Sequence, residues 1–293
     1  MEKNMRENID GHFLLIGLMA YPIRHSLSPK MQNIIYSKLD VPYVYLAFEV
    51  TQEKLPDAIK GLRALGLRGS AVSMPNKQLV CQYLDKLTPA VELIGACNTI
   101  SNDDGVLTGY NTDGMGYMRS LKEAGVDVIG KKMTILGGGG AASAIAVQAA
   151  LDGVKELAIF NQQDECFAKI VEIAKRINEK TACKATVYDL ADKSQLCQQI
   201  AESTVLCNAT GVGMKPLEGQ SLITDPTMLR KELVVTDCIY SPRKTKLLEI
   251  AESQGCKTLN GIGMMLWQGH AQIKIWTGQD APIDYVKEKM GFN

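Results

Sequence analysis

Apolar positions along the 293-residue chain fall into two textures. From about residue 13 to residue 110, short apolar runs alternate with stretches whose apolar residues recur every three or four positions. Residues 13–18 predict a strand. Ser28-Pro29 then predicts a helix start, with Ser28 as N-cap and Pro29 at the first helical position. Met31, Ile34, Ile35 and Leu39 supply its apolar face. Residues 43–50 predict a second strand, and Leu55, Ala58, Ile59, Leu62 and Leu65 a second helical face. A third short strand over 69–73 is broken at Met74-Pro75-Asn76-Lys77, because proline disfavours helix before it and offers no N–H. Residues 96–101 and 106–110 predict a hairpin about Asn102-Asp103-Asp104-Gly105.

The second texture begins near Lys131. Residues 133–136 form an apolar run ending in glycines, and 157–160, 185–188, 205–208, 233–238 and 257–259 are further candidate strands with helical stretches between them. Strand and helix alternate at the spacing of a doubly wound parallel sheet. The fold class expected is therefore α/β in two domains. An N-terminal α/β domain over residues 1–115 precedes a Rossmann-type domain over 116–260. A helix over 113–124 links them, and helices over 261–293 pack back on the first domain.

Composition narrows the function. Apolar residues make up 46% of the chain, enough for two cores, and 32 basic residues balance 32 acidic ones. A net charge of zero gives no electrostatic reason to expect nucleic acid or an anionic membrane as partner. No apolar run is long enough to span a bilayer, and residues 1–11 lack the apolar core of a signal peptide. Eight cysteines are scattered without a C-x-x-C pair, beside only three histidines. This predicts reduced thiols packed as small apolar residues, no metal site, and a cytoplasmic setting.

Gly137-Gly138-Gly139-Gly140-Ala141-Ala142 follows an apolar strand and opens an alanine-rich helix. Gly137, Gly139 and Ala142 fit the G-x-G-x-x-G/A dinucleotide pattern in the strand–turn–helix setting it requires. Small residues let the backbone approach a pyrophosphate, and the helix behind offers free N–H groups and its positive dipole end. The next strand ends at Asn161-Gln162-Gln163-Asp164, where ribose is read. A carboxylate there accepts hydrogen bonds from a 2′-hydroxyl and repels a 2′-phosphate, which prefers arginine. With one Asp and no Arg, the segment points to NAD over NADP; the bland alternative is that Asp164 only caps the following helix.

Lys77 and Asp113 stand where the chain leaves regular elements for loops, a usual place for functional groups. Ser26-Leu27-Ser28-Pro29, Ser73-Met74-Pro75-Asn76-Lys77, Asn98-Thr99, Asn111-Thr112-Asp113-Gly114, the glycine turn and Gly261-x-Gly263-Met264-x-x-x-Gln268-Gly269 follow one another in the order seen in shikimate dehydrogenases. From about residue 14 to the end, the chain resembles that family. Gly17-Leu18-Met19-Ala20-Tyr21-Pro22 and Trp267-Gln268-Gly269 look like its quinate/shikimate branch.

The resemblance implies an NAD(P)-dependent oxidoreductase acting on shikimate and quinate. Lys77 and Asp113 would be the catalytic pair. Ser26 and Ser28 would bind the substrate carboxylate, Asn98 and Gln268 the ring hydroxyls, with Ser73 and Tyr45 as weaker candidates. Gly137, Gly138, Gly139, Gly140, Ala141, Asn161 and Asp164 would hold the dinucleotide, with Cys238, Tyr240 and Gly261 near the nicotinamide.

Two departures bear on the cofactor. Gln162 and Gln163 stand where the family often has arginine, and Asn208-Ala209-Thr210-Gly211-Val212-Gly213-Met214 lacks the lysine that can precede Val-Gly-Met. Alternatives are a metabolite sensor without turnover, a dehydrogenase for amino-shikimate or another polyol acid, and a tetrahydrofolate-type or amino-acid dehydrogenase. A homodimer is the one protein partner left open.

Overall fold

The computed structural model describes residues 9–292; residues 1–8 of the polar N-terminal stretch lie outside them. In chain order the first half contains β1 (Leu14–Ala20), α1 (Ser28–Leu39), β2 (Tyr43–Glu49), α2 (Leu55–Ala64), β3 (Gly69–Val72), β4 (Lys86–Leu87), α3 (Pro89–Ile94), β5 (Thr99–Asp103) and β6 (Val106–Tyr110). Then follow α4 (Thr112–Glu123), β7 (Lys132–Leu136), α5 (Gly140–Asp152), β8 (Glu156–Asn161), α6 (Glu165–Lys180), β9 (Lys184–Asp189), α7 (Lys193–Glu202), β10 (Val205–Asn208), β11 (Val212–Glu218), β12 (Val234–Asp237), α8 (Lys246–Ser253), β13 (Lys257–Leu259), α9 (Ile262–Thr277) and α10 (Ile283–Met290).

The chain divides into two compact units, Met1–Thr112 with Leu266–Asn293, and Asp113–Met265. The sequence reading put these limits at 115/116 and 260/261. The first unit holds a mixed sheet ordered β2-β1-β3-β5-β6-β4. β1 runs parallel to β2 and β3, while β5 is antiparallel to both β3 and β6. Met19, Leu55, Ile59, Leu62, Val72, Ile100 and Leu107 form its core on the α2 side. The C-terminal segment is bound to this unit by hydrogen bonds from side chains to backbone carbonyls. Trp276 donates its indole N–H to the Ile100 carbonyl at 2.9 Å, and Arg68 Nε donates to the Trp276 carbonyl at 2.9 Å.

The second unit holds a wholly parallel sheet ordered β13-β12-β10-β7-β8-β9. Read from the other edge, this is the strand order of a dinucleotide-binding doubly wound fold. Its central strands are buried on both faces, which is why they read as continuous apolar runs without alternation. α5 is buried on most of its surface and so is rich in alanine, whereas α6 buries only Ile170, Ile173, Ala174 and Ile177. α4 comes so close to α5 that a β-carbon on Gly114 would overlap the Ala144 carbonyl.

Three expectations are corrected. Leu27, not Ser28, holds the N-cap position of α1, without a side-chain cap. Its backbone is already in the right-handed region, so the helix begins one residue early, with Ser28 inside it; Ser26 Oγ accepts the Ser28 N–H at 3.2 Å. β4 and β11 were not foreseen. β4 is two residues long, and β11 carries Gly213 and Pro216 and is mostly exposed, so neither leaves an apolar signature. The strand expected over 96–101 begins only at Thr99, because the backbone of Cys97 turns to bond the Lys77 carbonyl at 2.8 Å.

Gly69 lies where β3, β5 and Trp276 meet, and a β-carbon there would sit inside contact distance of the Ile100 oxygen and the indole. Gly69→Ala should therefore cost about 1–3 kcal/mol of overpacking strain, read as a lower urea midpoint with unchanged slope.

Candidate active site

In the first unit, Ser26 and Ser28 are half-buried at the entry to α1. Ser73 closes β3 and donates its N–H to the Met19 carbonyl at 3.0 Å. The loop after it is clamped from three sides. Buried Asn76 donates its Nδ2–H to the Val50 carbonyl at 2.8 Å, Gln52 donates to the Pro75 carbonyl at 3.2 Å, and the Lys77 carbonyl accepts the Cys97 N–H. Lys77 is therefore presented, half-buried, from a fixed backbone.

Asn98 is buried and fixed in orientation. The Thr112 N–H meets its side chain at 2.8 Å, and a backbone N–H can only donate, so that atom is Oδ1. Asn98 Nδ2 then donates to Thr112 Oγ1 at 3.0 Å, and Thr99 Oγ1 donates to Oδ1 at 2.8 Å. Gln268, on α9, takes a long 3.5 Å contact from Thr112 Oγ1. Thus the structure joins Asn98 and Gln268 through Thr112. Tyr45 is placed differently from the other substrate candidates. It is 0% exposed, its ring centroid lies 6.0 Å from that of Trp276, and its hydroxyl has no hydrogen-bond partner among the described residues.

In the second unit, Gly137 follows β7 with φ +118°, a left-handed conformation that favours glycine. A β-carbon here would lie 2.9 Å from the Ala209 carbonyl oxygen, so the turn touches the chain leaving β10. Gly138 is hemmed in by Asn161, Ile170 and Cys166. Gly139 and Gly140 face open space, with nothing within 4 Å of an added β-carbon. Gly139 is the N-cap of α5 and provides no side-chain cap. The helix therefore starts with unsatisfied N–H groups and an unobstructed approach, the arrangement that receives a pyrophosphate.

At the end of β8, Asp164 caps α6 by accepting the Cys166 N–H at 2.9 Å. It also accepts from Asn161 Nδ2 at 2.8 Å and from Gln162 Nε2 at 2.9 Å. The Gln162 amide, ahead of the backbone N–H groups, holds this exposed carboxyl below the usual carboxylate range. Capping and an outward carboxylate thus coexist in one residue.

Beyond β12, the Gly261 N–H donates to the Ile239 carbonyl at 3.0 Å, and a β-carbon on Gly261 would overlap the Cys238 carbonyl. Cys238, Tyr240 and Gly261 are accordingly neighbours in the chain path. Hydrogen bonding with Cys207, 3.9 Å away sulfur to sulfur, and then burial push the Cys238 thiol up. Buried Asp237 ties the region together, bonding Asn208 Nδ2 at 3.1 Å, the Ile239 N–H at 3.0 Å and Thr245 Oγ1 at 2.8 Å. Burial raises its carboxyl pKa. Asp113 lies half-buried in the first turn of α4, on the residue before the close approach at Gly114.

Residues 18–100 match the family model described as shikimate dehydrogenase substrate binding domain, and residues 261–290 match that described as shikimate 5'-dehydrogenase C-terminal domain. Over 98% of its length the chain is 60% identical to shikimate dehydrogenase (NADP(+)) of Listeria monocytogenes serotype 4b (strain F2365), covering 99% of that protein. The chain belongs to the shikimate dehydrogenase family. Among members of this family it is also 54% identical to quinate/shikimate dehydrogenase of Escherichia coli O139:H28, over 97% of this chain and 99% of that protein. The crystal structure of shikimate 5-dehydrogenase from Listeria monocytogenes in complex with shikimate and NAD superposes with a TM-score of 0.96. The match covers 97% of this chain and 98% of that one at 60% identity.

The family's motifs include Thr112, Thr99 and Asn76 but gave them no role, and Gln32 and Gln272 lie outside those motifs altogether. A signal existed for two of them: Gln32 follows Ser28 and Gln272 follows Gln268 by four residues, the spacing that keeps side chains on one helix face.

The open flank of Gly139 gives a separable prediction. Gly139→Ala should leave the melting temperature within a degree or two, since φ is −78° and nothing crowds the new methyl. It should weaken dinucleotide binding about tenfold by blocking backbone approach, measured by fluorescence titration. A fall in melting temperature with unaltered binding would contradict this assignment.

Proposed function

We propose that this protein is an oxidoreductase interconverting shikimate and 3-dehydroshikimate, and quinate and 3-dehydroquinate, with NAD(P). The observation that carries the reading is the 60% identity, across 98% of the chain, to a relative named for shikimate oxidation. The uncapped N-terminus of α5 and the open flank of Gly139 and Gly140 fit a dinucleotide. When bound, the nicotinamide accepts or returns the hydride.

The chain's own residues supply binding and proton handling. Ser26 and Ser28, at the start of α1, hold the substrate carboxylate where the helix dipole favours an anion. Asn98 and Gln268 bond the ring hydroxyls. Ser73 lines the same region beside the clamped loop, and Tyr45 stands behind it as a buried wall. Lys77 donates a proton to the carbonyl oxygen during reduction and takes it from the hydroxyl during oxidation. Asp113 is its partner in the catalytic pair. Asn161 and Asp164 read the ribose, and Cys238, Tyr240 and Gly261 border the nicotinamide.

We infer a preference for NAD. The Listeria relative is named for NADP(+), and the Listeria crystal structure holds NAD. Here the ribose end carries the Asp164 and Asp189 carboxylates, bonded by Gln162 and Gln163 respectively, and no arginine occurs in 161–164. A 2′-phosphate would meet negative charge without a guanidinium. Among the described residues no helix is long and apolar enough to cross a membrane. All eight cysteines are free thiols, which supports a reducing, cytoplasmic setting. A homodimer remains a proposal for sedimentation to test.

The test is absorbance of reduced nicotinamide with shikimate and quinate, each offered with NAD and NADP. Turnover of either acid supports the reading, and silence in all four mixtures by protein that binds NAD overturns it. Lys77→Ala should lower kcat by about a hundredfold or more while cofactor affinity holds; an unchanged kcat would remove Lys77 from proton transfer. Asp164→Ala should weaken NAD more than NADP. Because its carboxyl sits below the ordinary range, it stays charged as pH falls, so NAD affinity should hold from neutrality to about pH 4.5, wherever the protein remains folded. A loss of affinity centred near pH 6 would assign the contact to another group.

A further inference from the structure

Two of the eight thiols meet in the second unit. Cys207 lies inside β10 and is fully buried, whereas Cys238 is the first residue beyond β12 and is half-buried. In the parallel register Cys207 faces Thr236, and Cys238 follows two residues later on the same face of the sheet. The two sulfurs stand 3.9 Å apart and share a hydrogen bond in which either can donate. On that face Tyr117 Oη, from α4, lies 2.8 Å from Thr236 Oγ1. Burial acts to raise the Cys207 thiol, but hydrogen bonds with Cys238, Tyr117 and Thr236 outweigh it and hold the thiol below its ordinary value. Hydrogen bonding with Cys207 and then burial push the Cys238 thiol the other way. The pair therefore gives up one proton easily and the second with difficulty, and the remaining proton is shared between the sulfurs.

We propose that Cys207 and Cys238 form an oxidisable dithiol, a modification site that a hydroperoxide converts to an intramolecular disulfide. Cys238 is the sulfur that a peroxide can reach. With the shared proton on Cys207, the Cys238 thiolate attacks one peroxide oxygen. An S–O bond forms, the O–O bond breaks, and the departing oxyanion takes a proton from solvent. Cys207 then attacks the Cys238 sulfur. The S–S bond forms, the S–O bond breaks, and hydroxide leaves with the Cys207 proton as water. The two thiols lose two electrons and the peroxide gains them. A bridge brings the sulfurs to about 2 Å. β10 is an inner strand held between β7 and β12, so the movement falls to Cys238, beyond the end of its strand. The Cys238 carbonyl lies against Gly261, so that movement disturbs the chain there. A consequence rests on the function proposed above: a bound dinucleotide shields Cys238 from the oxidant. In a reducing compartment such a bridge is transient and redox-sensing.

The experiment treats the reduced, full-length protein with hydrogen peroxide, with and without saturating NAD, and maps the cysteine products by peptide mass spectrometry. Cys197, an exposed thiol, is the internal control. The Cys207–Cys238 linkage should form about tenfold faster than any product at Cys197, and dithiothreitol should reverse it. Cys207→Ala should abolish the linkage and leave Cys238 as a sulfenic acid that a 1,3-diketone probe captures. Oxidation that follows exposure, with Cys197 modified first and no Cys207–Cys238 linkage, would overturn the inference. Mapping of the wild type decides this by itself should Cys207→Ala fail to fold. The NAD arm separates the inference from the proposed function. Linkage slowed about tenfold by NAD supports both. Linkage at an unchanged rate in NAD-bound protein upholds the dithiol and removes Cys238 from the nicotinamide wall. Linkage in protein that binds no NAD upholds the dithiol while the proposed function fails.

Discussion

Strand order reverses between β7 and β10, and the second unit is organised around that reversal. Connections leave these two strands towards opposite faces, so the carboxyl ends open a crevice that the sheet itself does not fill. What the crevice can hold depends on how closely backbone approaches it from each side. Gly137 lets the turn after β7 touch Ala209, and Gly138 lets it touch Asn161. On the far side, Asn208 and Asp237 close the ends of β10 and β12 with a buried, doubly bonded pair. The loops that begin there leave in set directions. The carboxyl of Asp237 bears a desolvation cost and offsets it with partners from three segments.

The first unit solves a different problem with different chemistry. Its candidate substrate residues come from α1, β3, the β5 entry and α9, and no single element could fix them. A run of uncharged amides and hydroxyls ties α1 and α9 to the β5 entry, from Gln32 through Gln272, Thr99 and Asn98 to Thr112. Neutral groups can be buried together at lower cost than ions, provided each donor finds an acceptor. The string meets this condition at every link, though Gln32 Oε1 finds no partner.

Much of this was legible in the chain. The parallel sheet showed itself because strands covered on both faces must be apolar throughout, and the glycine turn because its position after β7 is dictated by backbone approach. Short or exposed strands, such as β4 and β11, left no pattern, since they bury little. The start of α1 was misplaced by one residue because a serine before proline is the usual cap, while here Leu27 already has helical backbone angles. Asp164 was readable as cap or as ribose contact, and the hydrogen bonds show the cap while leaving the second oxygen towards solvent-exposed Gln162. The amide string was invisible for a plainer reason: glutamines 240 residues apart carry no mark of meeting.

The inner and outer parts of the glycine turn differ in how freely they can change. Gly137 and Gly138 are pinned by neighbours and α5 is enclosed, so almost any replacement there disturbs packing. Gln162 and Gln163, only one strand away, are exposed and contribute nothing to the core. Mutational drift can therefore rewrite the rim proposed to read a ribose while the inner glycine turn stays untouched. Cofactor preference in such a unit becomes an evolvable surface trait, open to change without loss of foldability.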